Sequence, residues 1–345
     1  MGVYETNLAI ALIMAPFFIV LGALPFVSRQ YARFGRVGLW SGLVAAALVL
    51  YACAVVAFTL FPLPEIDDPA QFCRAHAALA HPQLRPLASL DDIVYGADRE
   101  QAFLQVFFNF VLFAPLGFFL KYRYGRGLTH SVVVGLALSL TVEFTQLTGN
   151  WGLYPCPYRL FDVDDLITNT AGTAIGWLLA VPLMKVLPSA WPRPRADLRP
   201  PGLVRRGLGD LLDFAVWWLA AAAASIVLAV FEIDSELAGD AMLYFIGFMC
   251  LLGLPLMRRD RSGPGRASLH LALAETGRAG PASRMRVFVR FLVFPLPFVV
   301  LFALEEPLWI GGLAVAHLIV ALTGRSIAGR LSGTSTVTRA VVMGR

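Results

Sequence analysis

Charged residues are scarce in this chain of 345 residues. Only 15% are Asp, Glu, Lys or Arg, whereas 58% are hydrophobic, and the mean hydropathy is +0.69. This composition excludes a water-soluble globular protein and is typical of a chain that crosses a membrane several times. The net charge of +5 does not indicate nucleic-acid binding, because no basic stripe with interleaved aromatic residues accompanies it.

Motifs for enzymatic or metal chemistry are also lacking. The sequence has no nucleophile elbow and no phosphate-binding glycine loop, and its five histidines and four cysteines are scattered without zinc-ligand spacing. We therefore predict no catalytic residue, no metal site and no cofactor. We expect the protein not to be an enzyme, although a membrane enzyme that acts on a lipid headgroup remains an alternative.

Apolar runs long enough to cross a bilayer recur along the chain. A crossing needs about 20 apolar residues, so the sequence predicts an all-α fold, a polytopic transmembrane helical bundle of about nine spans in two modules. The first run follows Glu5 rather than a basic region, which favours a retained span over a signal peptide. The predicted spans are residues 7–27, 38–61, 103–120, 130–149, 164–186, 209–231, 241–257, 288–304 and 307–323.

Basic and acidic residues are separated between the connections of these spans. Arg29, Arg33 and Arg36 follow the first span, and Lys and Arg residues recur in every second connection. Because cytoplasmic loops are enriched in Lys and Arg, we expect the N-terminus outside the cell membrane and the C-terminus in the cytoplasm. Acidic residues of other connections then lie outside, among them Asp67, Asp68, Asp91, Asp92, Glu232, Asp234, Glu236, Asp240, Glu305 and Glu306.

Polar residues recur in or beside the predicted spans of the first half. An ionisable group at membrane depth costs roughly 2.5–3.5 kcal/mol, so it usually faces a protein interior or a wet cavity. The predicted topology brings these residues together near the outer leaflet, where we expect a polar pocket roofed by the loop 151–161. The predicted pocket residues are Asn109, Glu143, Gln146, Arg159, Asp162, Asp165 and Asn169. On the predicted span 164–186, Gly172 and Gly176 lie on the same helix face as Asp165 and Asn169. These glycines allow a neighbouring helix to approach closely.

The order of these residues resembles the VanZ-like membrane proteins. The matching positions are Asn109, Pro115 with Gly117, the Glu143-x-x-Gln146 pair, Arg159, Asp162, Asp165, Asn169, Gly172 and Gly176. VanZ-like proteins are associated with low-level resistance to glycopeptides, teicoplanin in particular. The resemblance therefore implies a cell-envelope protein that lowers glycopeptide susceptibility, with Pro115 and the three glycines as helix-packing positions.

Each pocket residue also has a structural interpretation. Asp162 is placed to cap a helix N-terminus, and the pair Glu143 and Gln146 can form interhelical hydrogen bonds, as can Asn109. The functional interpretation takes them together, with Arg159 meeting an anionic group of a membrane lipid, a phospholipid or a cell-wall lipid precursor. The alternative is a transporter of protons, cations or lipid that uses the same acidic pocket. The acid spacing matches no calcium loop.

A proline- and arginine-rich segment divides the chain. We predict a VanZ-like domain over residues 1–190, a cytoplasmic connector over 191–201, a second membrane domain over 202–335 and a cytoplasmic tail over 336–345. The second domain resembles the RDD family in Arg206, Asp213, Arg266, Arg284, Arg290 and the closing segment Ser332–Thr334. It departs from that pattern at Ala328 and Gly329, where a His-Asp pair is expected. The resemblance implies a membrane module that anchors or regulates the first half.

Two of the four cysteines lie in predicted outer loops. Cys73 and Cys156 are on the oxidising side of the membrane, where unpaired thiols are commonly bridged. A disulfide between them would tie the long acidic loop over the pocket. The alternative is that both are small buried residues, and a separation of the two Cα atoms beyond about 7 Å would exclude the bridge.

Overall fold

The computed structural model describes residues 3–230, 236–278, 280–322 and 326–344. Within these ranges eight helices are long and apolar enough to cross a membrane, which confirms the predicted all-α polytopic bundle. The ninth predicted span corresponds to Pro307–Leu322, an apolar helix of 16 residues. Several predicted positions lie outside the described ranges. They are the last residue of each span predicted to end at 231 or 323, the final residue of the predicted tail, and the acidic residues Glu232 and Asp234.

The chain divides into two compact units. The first unit contains residues 1–22 and 38–192, and the second contains residues 23–37 and 193–345. The division after residue 192 falls within the proline- and arginine-rich segment, which contains no helix or strand. Residues 23–37, which the sequence analysis includes in the first domain, group with the second unit instead, where the backbone nitrogen of Arg195 donates to the carbonyl oxygen of Phe34 at 2.9 Å.

The first unit is helical. Its elements are α1 (Val3–Phe34, as far as residue 22), α2 (Leu39–Leu60), α3 (Pro69–Ala75), a 3-10 helix (Ala77–Ala80), α4 (Ala88–Tyr95), α5 (Arg99–Tyr122), α6 (Leu128–Leu147), the short α7 (Gly149–Gly152) and α8 (Val163–Leu183). Small buried residues, among them Ala11, Cys53 and Ala57, allow α1 and α2 to pack closely. Cys53 thus acts there as a small hydrophobic residue.

Glycines set the contact between α5 and α8. A Cβ atom added at Gly117, Gly172 or Gly176 would overlap a backbone carbonyl oxygen of the facing helix. Pro115 lies inside α5, on the same stretch. Close approach of the two backbones brings the polar residues of α8 within reach of α5.

The second unit combines helices with one small sheet. Its elements are α9 (Leu203–Val230), α10 (Glu236–Phe248), a π turn (Met249–Gly253), α11 (Leu254–Met257), α12 (Pro264–Ser268), β1 (Leu271–Glu275), α13 (Arg284–Val293), α14 (Pro295–Ala303), α15 (Pro307–Leu322), α16 (Ile327–Ser332), β2 (Thr334–Thr338) and α17 (Arg339–Met343). The two strands are antiparallel, with Leu271 opposite Thr338 and Glu275 opposite Thr334. The domain boundary predicted at residue 335 falls inside β2, and residues 336–343 continue in that strand and in α17.

A buried carboxylate stabilises the turn before α12. Asp260 is 1% exposed and pairs with Arg258 at 2.9 Å and with Arg339 at 3.2 Å. Burial alone would raise the pKa of Asp260, but hydrogen bonds from Arg258 and Ser262 and the charge of Arg258 lower it below its ordinary value. The carboxylate is therefore held in its ionised form.

Candidate functional site

The predicted pocket residues surround one cavity in the first unit. All seven of them line a space of about 1270 Å³ that is bounded by α1, α2, α5, α6, α8 and the segment before α8. Glu143 is 1% exposed, and its Oε2 atom accepts a hydrogen bond from the backbone nitrogen of Asp162 at 2.9 Å. The Glu143 carboxylate of α6 is thus hydrogen-bonded to the residue that directly precedes α8.

Asp162 is the N-cap of α8. Its Oδ1 atom accepts from the backbone nitrogen of Asp164 at 2.8 Å and from Nε2 of Gln83 at 3.1 Å, as the capping interpretation predicts. Burial raises the pKa of Asp162 above its ordinary value. The residue therefore both begins the helix and presents a carboxylate at the cavity.

Asp164 is a structural residue that the sequence analysis missed. It is 3% exposed, and its two carboxylate oxygens accept from the backbone nitrogens of Leu87 at 2.5 Å and Ser89 at 2.7 Å. These bonds fix the start of α4 beside α8. The sequence carries no signal for this contact, because the partners lie 77 and 75 residues away in a polar loop.

Three further hydrogen bonds connect the spans that surround the cavity. Asn109 of α5 donates to Oδ1 of Asp165 in α8 at 2.6 Å, and Asn169 of α8 donates to Oγ of Ser139 in α6 at 2.9 Å. Gln146 donates to the carbonyl oxygen of Thr59 in α2 at 2.8 Å. The interhelical bonding expected for Asn109 and Gln146 is thus observed.

Two buried amide oxygens at the cavity have no partner among the described residues. They are Oδ1 of Asn169 and Oδ1 of Asn7, and both residues line the space with at most 4% of their surface exposed. An unpartnered buried acceptor is costly. Asn7 lies at the start of α1, apart from the other polar residues in sequence, and the sequence analysis did not include it.

Arg159 lies beside the end of α2. Its Nη2 atom donates to the carbonyl oxygen of Phe61 at 2.6 Å and its Nη1 atom to that of Phe58 at 3.5 Å. Burial lowers the pKa of Arg159 below its ordinary value. Among the described residues it forms no ion pair within 4 Å; its hydrogen bonds go to carbonyl oxygens, and the carboxylates of Asp165 and Glu143 act on its charge from a longer distance.

The rest of the cavity wall has an apolar part and a polar part. Phe58, Leu104, Phe108 and Leu112 form the apolar part, and Asp98, Arg99, Glu100, Gln101 and Gln105 line the cavity at the start of α5. The same space therefore presents a polar end, formed by carboxylates, amides and Arg159, and a hydrocarbon wall.

Two loop regions of the first unit are tied together covalently. Cys73 and Cys156 form a disulfide with their Cα atoms 5.7 Å apart, which confirms the predicted bridge. It joins the α3 segment to the loop that leads into α8, and the hydroxyl of Tyr158 in that loop donates to the carbonyl oxygen of Leu60 at 2.9 Å. The loop that contains Arg159 is thereby held at the end of α2.

The RDD-like positions lie in the second unit. Asp213 accepts hydrogen bonds from the backbone nitrogens of Gly265 at 2.7 Å and Arg266 at 3.2 Å, and its side chain lies 3.3 Å from the guanidinium of Arg266. Arg206 and Arg290 line a second cavity in this unit. Arg284 is exposed in the first turn of α13 and lines neither cavity.

Fold and site together define a multi-pass membrane protein with a polar cavity among the helices of its first unit. Residues 48–186 match the family model described as VanZ/LLP1, so this part of the chain is VanZ-like, as the motif order predicts. The match includes all the predicted pocket residues. Comparison with curated proteins and with solved structures gives no significant match. The RDD-like interpretation of the second unit stays a prediction.

Proposed function

We propose that the cavity of the first unit binds the headgroup of an anionic membrane lipid or of a cell-wall lipid precursor from the outer leaflet. The observation that carries this proposal is the combination of a polar end and an apolar wall in one space of about 1270 Å³. An amphiphile uses both surfaces, whereas a small ion would leave the hydrocarbon wall without a partner.

The polar groups suit a headgroup that has both an acid and several hydrogen-bond donors. Arg159 offers a cation with no carboxylate within 4 Å among the described residues, which suits a phosphate. The unpartnered amide oxygens of Asn7 and Asn169 accept from hydroxyl, amine or amide groups. A sugar phosphate or a peptide-bearing lipid phosphate supplies both kinds of group.

Binding of such a precursor would explain the envelope role that the VanZ-like resemblance implies. A protein that holds or shields a cell-wall precursor changes how much of it a glycopeptide can reach. We therefore propose lowered susceptibility to teicoplanin as the cellular consequence.

The distribution of the carboxylates favours binding over the alternative of transport. Glu143 is four residues from the end of α6, and Asp162 and Asp165 lie at the start of α8. Acidic groups for ion transport would be distributed through the depth of the membrane, whereas these three gather at one end of the helices.

Lipid analysis of the purified full-length protein tests the proposal. Mass spectrometry should identify an anionic lipid that copurifies with the wild type and is depleted in Arg159→Gln. The matched control is Arg126→Gln, which removes the same charge from an exposed loop outside the cavity and should retain the lipid. Membrane abundance of each variant separates loss of binding from loss of folding.

Three results would contradict the proposal. They are a wild type that carries no enriched lipid, equal depletion in both variants, and equal retention in both. Proton or cation flux in reconstituted vesicles that Glu143→Gln abolishes would instead support the transporter.

A further inference from the structure

A second cavity lies in the second unit, outside the residues that match the family model. It has a volume of about 870 Å³ and is bounded by α9, α13, α14, α15, the start of α16 and β2. The function proposed for the first unit does not depend on this second cavity.

One end of the cavity contains a buried cation, Arg290, that forms no ion pair within 4 Å among the described residues. Arg290 is 4% exposed, and among the described residues it forms one hydrogen bond, in which Nη1 donates to Oγ1 of Thr334 at 3.2 Å. Its Nε atom is buried and has no partner among the described residues. A guanidinium has five N–H donors, so most of the hydrogen-bonding capacity of Arg290 is unused.

The nearby acids pair directly with another arginine rather than with Arg290. Asp210 lies 2.5 Å and Asp213 lies 3.3 Å from guanidinium nitrogens of Arg266, and both form ion pairs with it. No ion pair within 4 Å involves Arg290 in the part of the chain that the structure describes. A buried unpaired charge is strongly unfavourable, and an anion bound beside Arg290 would compensate it.

A histidine side chain lines the cavity between its two ends. His317 is 8% exposed; its Nδ1 atom lies 3.0 Å from the carbonyl oxygen of Leu313, and its Nε2 atom has no partner among the described residues. The ring packs against Phe294 and Phe298, with centroid distances of 5.0 and 5.9 Å. It therefore offers one further polar atom between the cationic end and the aromatic side chains.

The other end of the cavity is aromatic. Trp217, Trp218, Phe298 and Phe302 line it, and the rings of Trp218 and Phe302 are 4.9 Å apart. Asp210 and Trp218 are eight residues apart on α9, which corresponds to roughly 12 Å along the helix axis. The cavity is thus long enough to separate a charged group from a hydrocarbon chain.

We propose that this cavity binds one anionic amphiphile. Its phosphate or carboxylate pairs with Arg290 and completes the hydrogen bonding of that guanidinium, while its chain lies along Phe298, Phe302 and Trp218. The cation selects the charge of the ligand, and the aromatic wall selects a ligand that has a hydrocarbon tail.

Photocrosslinking of the full-length protein with an alkyl phosphate that bears a diazirine in its chain tests this site. Peptide mapping should place the label on α9, α14 or α15, which distinguishes it from labelling of the first unit. Arg290→Gln should reduce labelling there about tenfold or more, because a charge-assisted hydrogen bond is lost. Arg284→Gln removes the same charge from the exposed start of the same helix and should leave labelling unchanged.

Two competitors and a second variant complete the test. Unlabelled dodecyl phosphate should compete, whereas inorganic phosphate should not. Ala314→Phe fills the cavity wall without touching Arg290 and should also reduce labelling, which keeps the proposal testable if Arg290→Gln does not fold. Labelling that is equal in Arg290→Gln, equal with an alcohol-ended probe of the same chain, or abolished by inorganic phosphate would overturn it.

Discussion

At the close contact between α5 and α8, one added methyl group is expected to destabilise the protein. A Cβ atom added at Gly176 would overlap the carbonyl oxygen of Ala114 and would lie 2.6 Å from its carbonyl carbon and 2.9 Å from its Cα atom. All three are backbone atoms, so no side-chain rotation can relieve the overlap. Gly176→Ala must therefore push α5 and α8 apart.

The expected effect is the sum of two opposing terms. Replacing glycine by alanine inside a helix stabilises it by about 1 kcal/mol, whereas overpacking of a closely packed contact costs about 1–3 kcal/mol. Because the overlap is with backbone, we expect the upper half of that range and a net destabilisation of about 1–2 kcal/mol. The loss should extend to the polar bonds between the two helices.

Thermal unfolding of the purified protein in detergent measures this effect, with Gly42→Ala as the matched control. A Cβ atom at Gly42 has no neighbour within 4 Å, and the residue lies inside α2. The same substitution should therefore stabilise the protein there. If Gly176→Ala raised the unfolding temperature as much as Gly42→Ala does, the close α5–α8 contact would be refuted.

Three further changes have defined outcomes. Replacing Cys73 and Cys156 by serine should lower the unfolding temperature, since closing a loop of 83 residues stabilises by at most about 4.5 kcal/mol. Asp164→Ala should lose about 1–3 kcal/mol, and hydrogen exchange in α4 should accelerate. Asp260 has a lowered pKa, so its stabilisation is fully present above the unfolded-state pKa and lost as pH falls through the folded-state pKa. Unfolding temperatures measured at decreasing pH should therefore fall less steeply in Asp260→Asn than in the wild type.

Each of these three predictions has a control or an outcome that would contradict it. Reductant should lower the unfolding temperature of the wild type and leave the double serine variant unchanged; no response of the wild type would contradict the role of the bridge. For Asp164→Ala, the control is Asp67→Ala, which changes an exposed loop residue. Equal hydrogen exchange of α4 in these two variants would contradict the contact between Asp164 and α4. An Asp260→Asn profile as steep as that of the wild type would assign the acid sensitivity to other groups.

Local patterns in the sequence determined the membrane class and predicted seven of the residues that line the first cavity. Long apolar runs require helices in a bilayer, and the cost of polar groups at membrane depth points to residues such as Glu143 and Asp165 that share a site. Helical spacing also places Gly172 and Gly176 on one face, where the structure packs them against α5. Each of these inferences needs only the residues of one span or the order of the spans along the chain.

Contacts between distant segments were decided only by the tertiary structure. Asp164 binds the start of α4, and Asn7 lines the cavity from α1. β1 pairs with a strand more than 55 residues later in the chain. The unpaired charge of Arg290 likewise depends on Arg266, which occupies both nearby acids. Neither hydropathy nor helical periodicity encodes such pairings, because both describe a residue's immediate neighbours, whereas hydrogen bonds and ion pairs depend on which helices pack together.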